Sequence, residues 1–250
     1  MEFPALQAHL IAEAAALKAA YAAADPDAPV PTCPEWTATD LLDHVTETYD
    51  HKIQSMRLLR SPEAADMPQR TGTAVERFDA SLAELLAEFD DRGPESLAYT
   101  WYGLDQTVGF WIRRLAHETV VHRADAELAA GRPIGPVDPA LALDGAWEML
   151  EVMVDWGSRA MRRHVAATLT AHAGLAVAIS AADRSWTLRI SEAQAAVTAG
   201  IDGDVQAEVH GSAHEVLLWL WRRLPLEALT VKGDRSKAAD LYTLIGDFAQ

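Results

Sequence analysis

A chain of 250 residues, half of them hydrophobic, can bury one large core or two modest ones, and two are expected. The formal net charge of −16, from 21 Lys and Arg against 37 Asp and Glu, argues against a nucleic-acid partner, which draws its affinity from clustered cations. No apolar run reaches the roughly 18 residues of a membrane span and the opening M-E-F-P-A-L-Q-A-H lacks a basic n-region, so a soluble, cytoplasmic protein with no membrane partner is expected.

The single cysteine, Cys33, excludes an internal disulfide framework and any metal site built from several thiolates. A reaction that needs a thiol would therefore take it from a small molecule. Cys33 lies between Thr32 and Pro34 in a loop, where the simplest reading is a small half-buried residue ahead of a helix.

From Phe3 to Ala24, Leu6, Leu10, Ile11, Ala14, Leu17 and Tyr21 recur at helical spacing and predict a first amphipathic helix. The segment D-P-D-A-P-V-P-T-C-P cannot continue it, because proline removes donors and fixes the backbone, and it reads as an extended connector. A second helix starts where Thr37 can cap the amide of Asp40 while Asp40 reaches back, with Trp36 placed to pack on Leu41. Leu41, Leu42, Val45, Tyr49, Ile53 and Met56 form its buried stripe, and His44 lies at the edge. A lone histidine there is more often a core or surface residue than a ligand.

Val75, Phe78, Leu82, Leu85, Leu86 and Phe89 predict a third helix. The region from Asp91 to Gln106 reads as a loop whose Trp101 and Tyr102 either line a pocket or cover the end of a bundle. A fourth helix runs from about Val108 to Ala130 and is stopped by Gly131 and Pro133. A fifth, roughly Pro139 to Met161, is expected to join the others in one antiparallel bundle, a scaffold that often holds metals on facing helices.

The fourth helix carries R-R-L-A-H-E-T-V-V-H-R-A-D-A-E, in which Glu118 and His122 are four residues apart and project from one face. A carboxylate and an imidazole so placed can grip one metal ion, but a catalytic zinc normally takes three protein groups, so a third must come from elsewhere. The motif is not the zincin H-E-x-x-H, since its two histidines are five apart. His117, displaced by about 100° from Glu118, reads as a hydrogen-bonding neighbour or a structural residue. Asp125, one turn beyond His122, can hydrogen-bond that imidazole or simply be solvated.

Beyond Ala167 the runs L-A-V-A-I-S, S-W-T-L-R-I-S, A-A-V-T-A and V-Q-A-E-V-H, separated by A-D-R, E-A-Q and D-G-D, predict an antiparallel meander. A helix S-A-H-E-V-L-L-W-L-W-R-R, a strand near Leu229 to Lys232 and a last helix near Lys237 to Phe248 complete a separate small α+β domain, with Leu217, Trp219 and Trp221 directed at its sheet. Domains 1–163 and 164–250 are expected.

P-T-C-P-E-W-T-A-T-D-L-L-D-H-V followed later by H-E-T-V-V-H-R-A-D-A-E resembles the mycothiol-dependent maleylpyruvate isomerase family. G-S-A-H-E-V-L-L-W-L-W-R-R-L-P and L-T-V-K-G-D resemble its C-terminal part, so the likeness covers nearly the whole chain. It implies an α + α/β two-domain fold: an N-terminal DinB-like helix bundle and a small C-terminal α+β domain with an antiparallel sheet, similar to sterol-carrier folds. Carried over by position, it makes His44, Glu118 and His122 the ligands of a divalent metal, usually zinc. It also assigns a reactive-site arginine to Arg223, with Arg222 as the neighbouring alternative.

The implied chemistry is addition of mycothiol, a low-molecular-weight thiol, to an activated double bond, since a metal lowers the proton affinity of a coordinated sulfur. With an unsaturated dicarboxylate, rotation and elimination complete a cis–trans isomerisation; with another small-molecule electrophile, the same apparatus is a thiol transferase. Metal-bound water in place of the thiol would make the protein a hydrolase. A non-enzymatic metal- or apolar-ligand-binding protein is the other alternative.

Overall fold

The computed structural model describes residues 1–249. The chain divides into two compact units, Met1–Gly135 and Pro136–Gln250.

The first unit is a four-helix bundle. Its helices are α1 (Phe3–Ala23), α2 (Ala38–Leu58), α3 (Ala74–Arg92) and α4 (Val108–Ala129). Leu6, Leu10, Ala14 and Leu17 of α1 meet Leu41, Val45, Tyr49, Ile53, Phe78, Leu85, Leu115 and Val120 in its interior, while Ile11 remains exposed. The start of α2 follows the predicted capping box: Thr37 accepts from the Asp40 amide and Asp40 accepts from the Thr37 amide. Thr73 and Glu76 fix the start of α3 in the same way, each box satisfying amides that a helix end leaves without partners.

The direction of the helices departs from the expected antiparallel series. Asp43 pairs with Arg77, Asp50 with Ser81 and Arg57 with Glu88, so α2 and α3 run parallel. Glu13 pairs with Arg123, and Gly109 leaves room for Phe3, whose ring would lie 2.6 Å from a Cβ built there, so α1 and α4 are also parallel. Lys18 with Asp79 and Gln7 with Asp90 set α1 antiparallel to α3.

A parallel pair cannot be joined by a tight turn, and the connection from Leu59 to Thr73 is the required crossover. It is clamped by Arg70, which forks onto Asp50 at 2.5–2.9 Å and reaches Glu84 at 2.7 Å. Asp50 is 4% exposed and also accepts from Ser81 at 2.5 Å. Asp50→Ala is expected to destabilise the protein by about 3 kcal/mol, because it takes the main acceptor from a largely buried guanidinium and a buried hydroxyl, leaving Arg70 with Glu84 alone and Ser81 with a 3.3 Å bond to the Thr46 carbonyl. Urea unfolding checks this, and a loss below about 1 kcal/mol would make the clamp incidental.

Between α1 and α2 the proline-rich connector is extended as predicted, but it also folds on itself. Strands β1 (Pro29–Val30) and β2 (Cys33–Thr37) form a small antiparallel hairpin. Helix α4 ends at Ala129, and Gly131 beyond it takes a positive φ of 69° that suits glycine. At the other, N-terminal end of α4, Trp101 and Tyr102 pack on Phe110 with ring centroids 5.1 and 5.6 Å away, and so cover it.

The second unit begins with α5 (Pro139–Trp147), which continues through a π-helical stretch, Glu148–Trp156, into the short α6 (Gly157–Ala160). This is the fifth helix of the sequence reading, and it belongs to this unit. Two capping-type bonds explain why: Asp155 accepts from the Val197 amide and Ser158 from the Ala195 amide, each at 3.0 Å. They tie the helix to an edge strand, and the unit boundary accordingly falls at Gly135/Pro136 instead of at 163/164. Helix α7 (Arg162–Ala171) follows, a segment the sequence reading left without helical structure.

The strands are β3 (Ala176–Ala181), β4 (Arg184–Ile190), β5 (Ala195–Ala199), β6 (Ala207–Gly211) and β7 (Thr230–Gly233), in the spatial order β5-β4-β3-β6-β7. Three pairings are antiparallel and β3–β6 is parallel, which corrects the simple meander. A parallel partner needs a return path, and residues 200–206 supply it: Thr187 donates to Gly200 O, and Arg189 donates to the Asp202 and Asp204 carbonyls. Gln206 then bonds both backbone groups of Ala176, which sets the register of β6 against β3. Helices α8 (Ala213–Leu220) and α9 (Arg235–Ile245) pack on β3 and β6. Leu217, Trp219 and Trp221 are buried. Among the described residues no helix is long and apolar enough to cross a membrane.

Candidate metal centre

Helices α2 and α4 run antiparallel where they touch. Along α4, Trp111, Arg114, Glu118, His122 and Asp125 recur at three- and four-residue steps and share a face. Along α2, the matching line is His44, Thr48 and Lys52. His44 meets Glu118 and His122, and one turn further the Tyr49 hydroxyl meets Thr119 Oγ1 at 2.6 Å. Thr119 spends its own proton on the Leu115 carbonyl, so Tyr49 donates, and this buried pair fixes how the helices slide against each other.

That register brings His44, Glu118 and His122 together, with one donor atom from each within 4.8 Å of the others. Glu118 Oε1 lies 3.5 Å from His44 Nε2 and 3.1 Å from His122 Nε2. Ligand atoms about 2.0–2.2 Å from a tetrahedral zinc are roughly 3.3–3.6 Å apart, so the spacing and the N,N,O donor set fit such an ion. The side chains of His44, Glu118 and His122 are 37, 15 and 9% exposed, which grades the centre from an open edge to a buried back wall.

Behind that wall, His122 Nδ1 is 2.9 Å from Asp125 Oδ2. Asp125 is fully buried, and its other oxygen accepts from Thr32 Oγ1 at 2.5 Å. An ionised carboxylate only accepts, so it keeps the proton on Nδ1 and turns Nε2 toward Glu118. Arg114 donates to Glu118 Oε2. Burial by itself would raise the Glu118 carboxyl, but the neighbouring His122 and Arg114 charges and the imidazole hydrogen bonds outweigh it and hold the group well below the usual carboxylate range. Burial likewise pulls His122 down, while Glu118 and then Asp125 push it up to about 9.

Trp36, on β2, roofs the cluster, with its ring centroid 4.5 Å from that of His44 and 6.0 Å from that of His122. The sequence had suggested Trp36 only as a staple. Thr32 and Arg114 were also missed, although Arg114 is one helical turn from Glu118 and could have been found by extending the face. His117 is fully buried and stands outside the three-residue cluster. Cys33 is half-buried.

The two arginines singled out in the second unit differ sharply. Arg222 has a positive φ of 64°, stacks its guanidinium 4.4 Å over the Tyr242 ring and donates to the Tyr242 carbonyl at 2.8 Å. Arg223 is half-buried and donates to the Trp221 carbonyl at 2.7 Å.

Two family models match the chain: Mycothiol maleylpyruvate isomerase N-terminal domain over residues 8–127, and MDMPI C-terminal domain over residues 140–240. No curated protein matches it. Among solved structures, a UbiJ-SCP2 ubiquinone synthesis protein is 18% identical, covering 46% of this chain and 96% of its own at a TM-score of 0.33. Sterol Carrier Protein 2 from Yarrowia lipolytica, in its apo form, is 15% identical, covering 46% and 97%, also at 0.33.

Proposed function

The chain belongs to the mycothiol maleylpyruvate isomerase family, and from that premise we propose that it is a metal-dependent enzyme that activates mycothiol for addition to a small-molecule electrophile. Isomerisation of a maleylpyruvate-type unsaturated dicarboxylate is the special case. The reading is carried by the clustering of His44, Glu118 and His122 on facing helices, with donor atoms at metal-ligand spacing.

These three residues would hold the ion. When bound, a divalent metal such as zinc supplies positive charge that lowers the proton affinity of a thiol beside it. With the ion bound, Asp125 would hold the remaining proton on His122 Nδ1 and leave the Nε2 lone pair for the centre, and Thr32 keeps Asp125 in place. Arg114 steadies Glu118. Trp36 covers one side and excludes water there, which strengthens every charge interaction beneath it.

In the isomerisation the thiol first gives up its proton to solvent, its sulfur as thiolate forms a bond to one alkene carbon, and the π electrons move onto the conjugated carbonyl as an enolate; the proton is taken back when the thiol leaves. The former double bond is now single and rotates. The electron pair then returns, the carbon–sulfur bond breaks, and the trans product leaves with the thiol regenerated, so nothing is oxidised or reduced. The resemblance assigns the reactive-site arginine to Arg223, whose permanently charged planar fork suits a carboxylate or an enolate oxygen. Arg222 is the weaker candidate, because Tyr242 already occupies its guanidinium.

Metal analysis of the purified protein followed by calorimetry with mycothiol tests this. One divalent ion per chain is expected, with mycothiol binding at least about tenfold weaker after the metal is stripped. A metal-loaded protein with no affinity for mycothiol would shift the reading to metal-dependent hydrolysis.

A further inference from the structure

The face that α2 and α4 share does not end at the metal centre. Two turns beyond His44, Lys52 projects between the same helices, its ammonium 4.9 Å from the centroid of the Trp111 ring and 3.2 Å from His51 Nδ1. The helical rise puts about 12 Å between the Cα levels of His44 and Lys52. Helical side chains lean toward the N-terminus, which for Lys52 is the direction of His44. A lysine stem and a short diacid together cover that span.

Lys52 is unlike the other lysines. Lys18 and Lys237 sit on carboxylates at 2.7 and 2.8 Å, and Lys232 is exposed. Lys52 is half-buried, and among the described residues no carboxylate lies within ion-pair distance of it. This is in a chain where acidic residues outnumber Lys and Arg 37 to 21. His51 is a neutral partner: burial and then the Lys52 charge hold its ring down at about 4, so Nδ1 accepts one of the three ammonium protons and two remain to be donated. Burial lowers Lys52 itself to about 8, with Glu118 pulling it up and Arg114 pushing it down, so the field of the centre reaches the ammonium. Arg114, the other cation on this face, donates to Glu118.

A desolvated charge with no counter-ion costs stability unless a ligand supplies one. Resting on the metal-dependent reading above, we infer that Lys52 is an anion anchor of the centre: held on the Trp111 face between α2 and α4, it receives a carboxylate of the unsaturated dicarboxylate whose reacting end lies at the His44–Glu118–His122 cluster.

Maleate, a minimal cis-unsaturated dicarboxylate, is the probe, titrated calorimetrically into zinc-loaded and zinc-free full-length protein. Lys52→Met is expected to weaken maleate binding at least about tenfold in both forms, and Lys52→Arg to stay within about threefold of wild type, with zinc content unchanged and a melting temperature no lower than wild type. Lys52→Gln repeats the test should methionine disturb packing on Trp111. Wild-type affinity in the Met and Gln variants, or no maleate binding by the wild-type protein, overturns the inference. The two readings fail separately. Zinc bound normally alongside unaltered maleate affinity in the variants removes Lys52 alone. Absence of zinc binding by the wild type removes the metal reading, and the zinc-free titration still decides Lys52.

Discussion

Replacing His44 by alanine is expected to strip the centre of its ion and lower turnover by more than about 1,000-fold. Residues that merely orient a metal ligand typically affect affinity or activity by about 10–100-fold, and His44 would be a ligand itself, the one contributed by α2. Without it the metal keeps only Glu118 and His122 from α4, one short of the three protein groups a catalytic zinc needs. The His44 side chain is 37% exposed and lies outside the sealed core of the bundle, so the variant should fold and melt near the wild-type temperature. Elemental analysis after dialysis against a weak chelator reads the result. A full metal complement in the variant would remove His44 from the ligand set.

Arg223→Lys is expected to reduce kcat by about 100-fold with metal content unchanged, the scale on which a lost hydrogen-bond donor at a developing oxyanion is felt. Lysine keeps the charge but is a point donor in place of a planar fork. Arg222→Lys should leave kcat near wild type, because the guanidinium is already stacked on Tyr242 and bonded to its carbonyl. Steady-state kinetics on the two variants side by side decide the matter. Unchanged kcat in Arg223→Lys together with a loss in Arg222→Lys would transfer the role to Arg222.

What the sequence disclosed follows from which interactions are local. The first three bundle helices were legible from the spacing of Leu6, Leu10 and Leu17, of Leu41, Val45 and Tyr49, and of Phe78, Leu85 and Phe89. The start of α2 was legible from Thr37 and Asp40, three residues apart. Glu118, His122 and Asp125 were found together because one helix face carries them. Direction and partnership were hidden. The parallel pairing of α2 with α3 depends on Arg70 finding Asp50 and Glu84, and nothing in the periodicity of either helix encodes it. The helix from α5 through α6 has the apolar pattern of a bundle helix, and its attachment to the sheet rests on Asp155 and Ser158, near its end, meeting backbone amides of β5.

The parallel β3–β6 pair was read as antiparallel for the same reason: a short turn-like segment, 200–206, looks the same whether it reverses the chain or carries it back along the sheet. At the centre, Trp36 and Thr32 went unseen as site residues because a proline-rich connector gives no sign that it will fold back as a hairpin over the neighbouring helices. Lys52 had no signal beyond lying eight residues, about two helical turns, after His44.

For the proposed ligand set, the arrangement of α2 and α4 also bears on how the protein matures. His44 leaves the ribosome about 70 positions ahead of Glu118, and loops of that length close at an entropic cost that only the docked helices repay. No nascent fragment ending before α4 can chelate the ion with more than one of its ligands. With that ligand set, metal acquisition would follow helix docking: only a chain whose second and fourth helices have found their register would present all three groups.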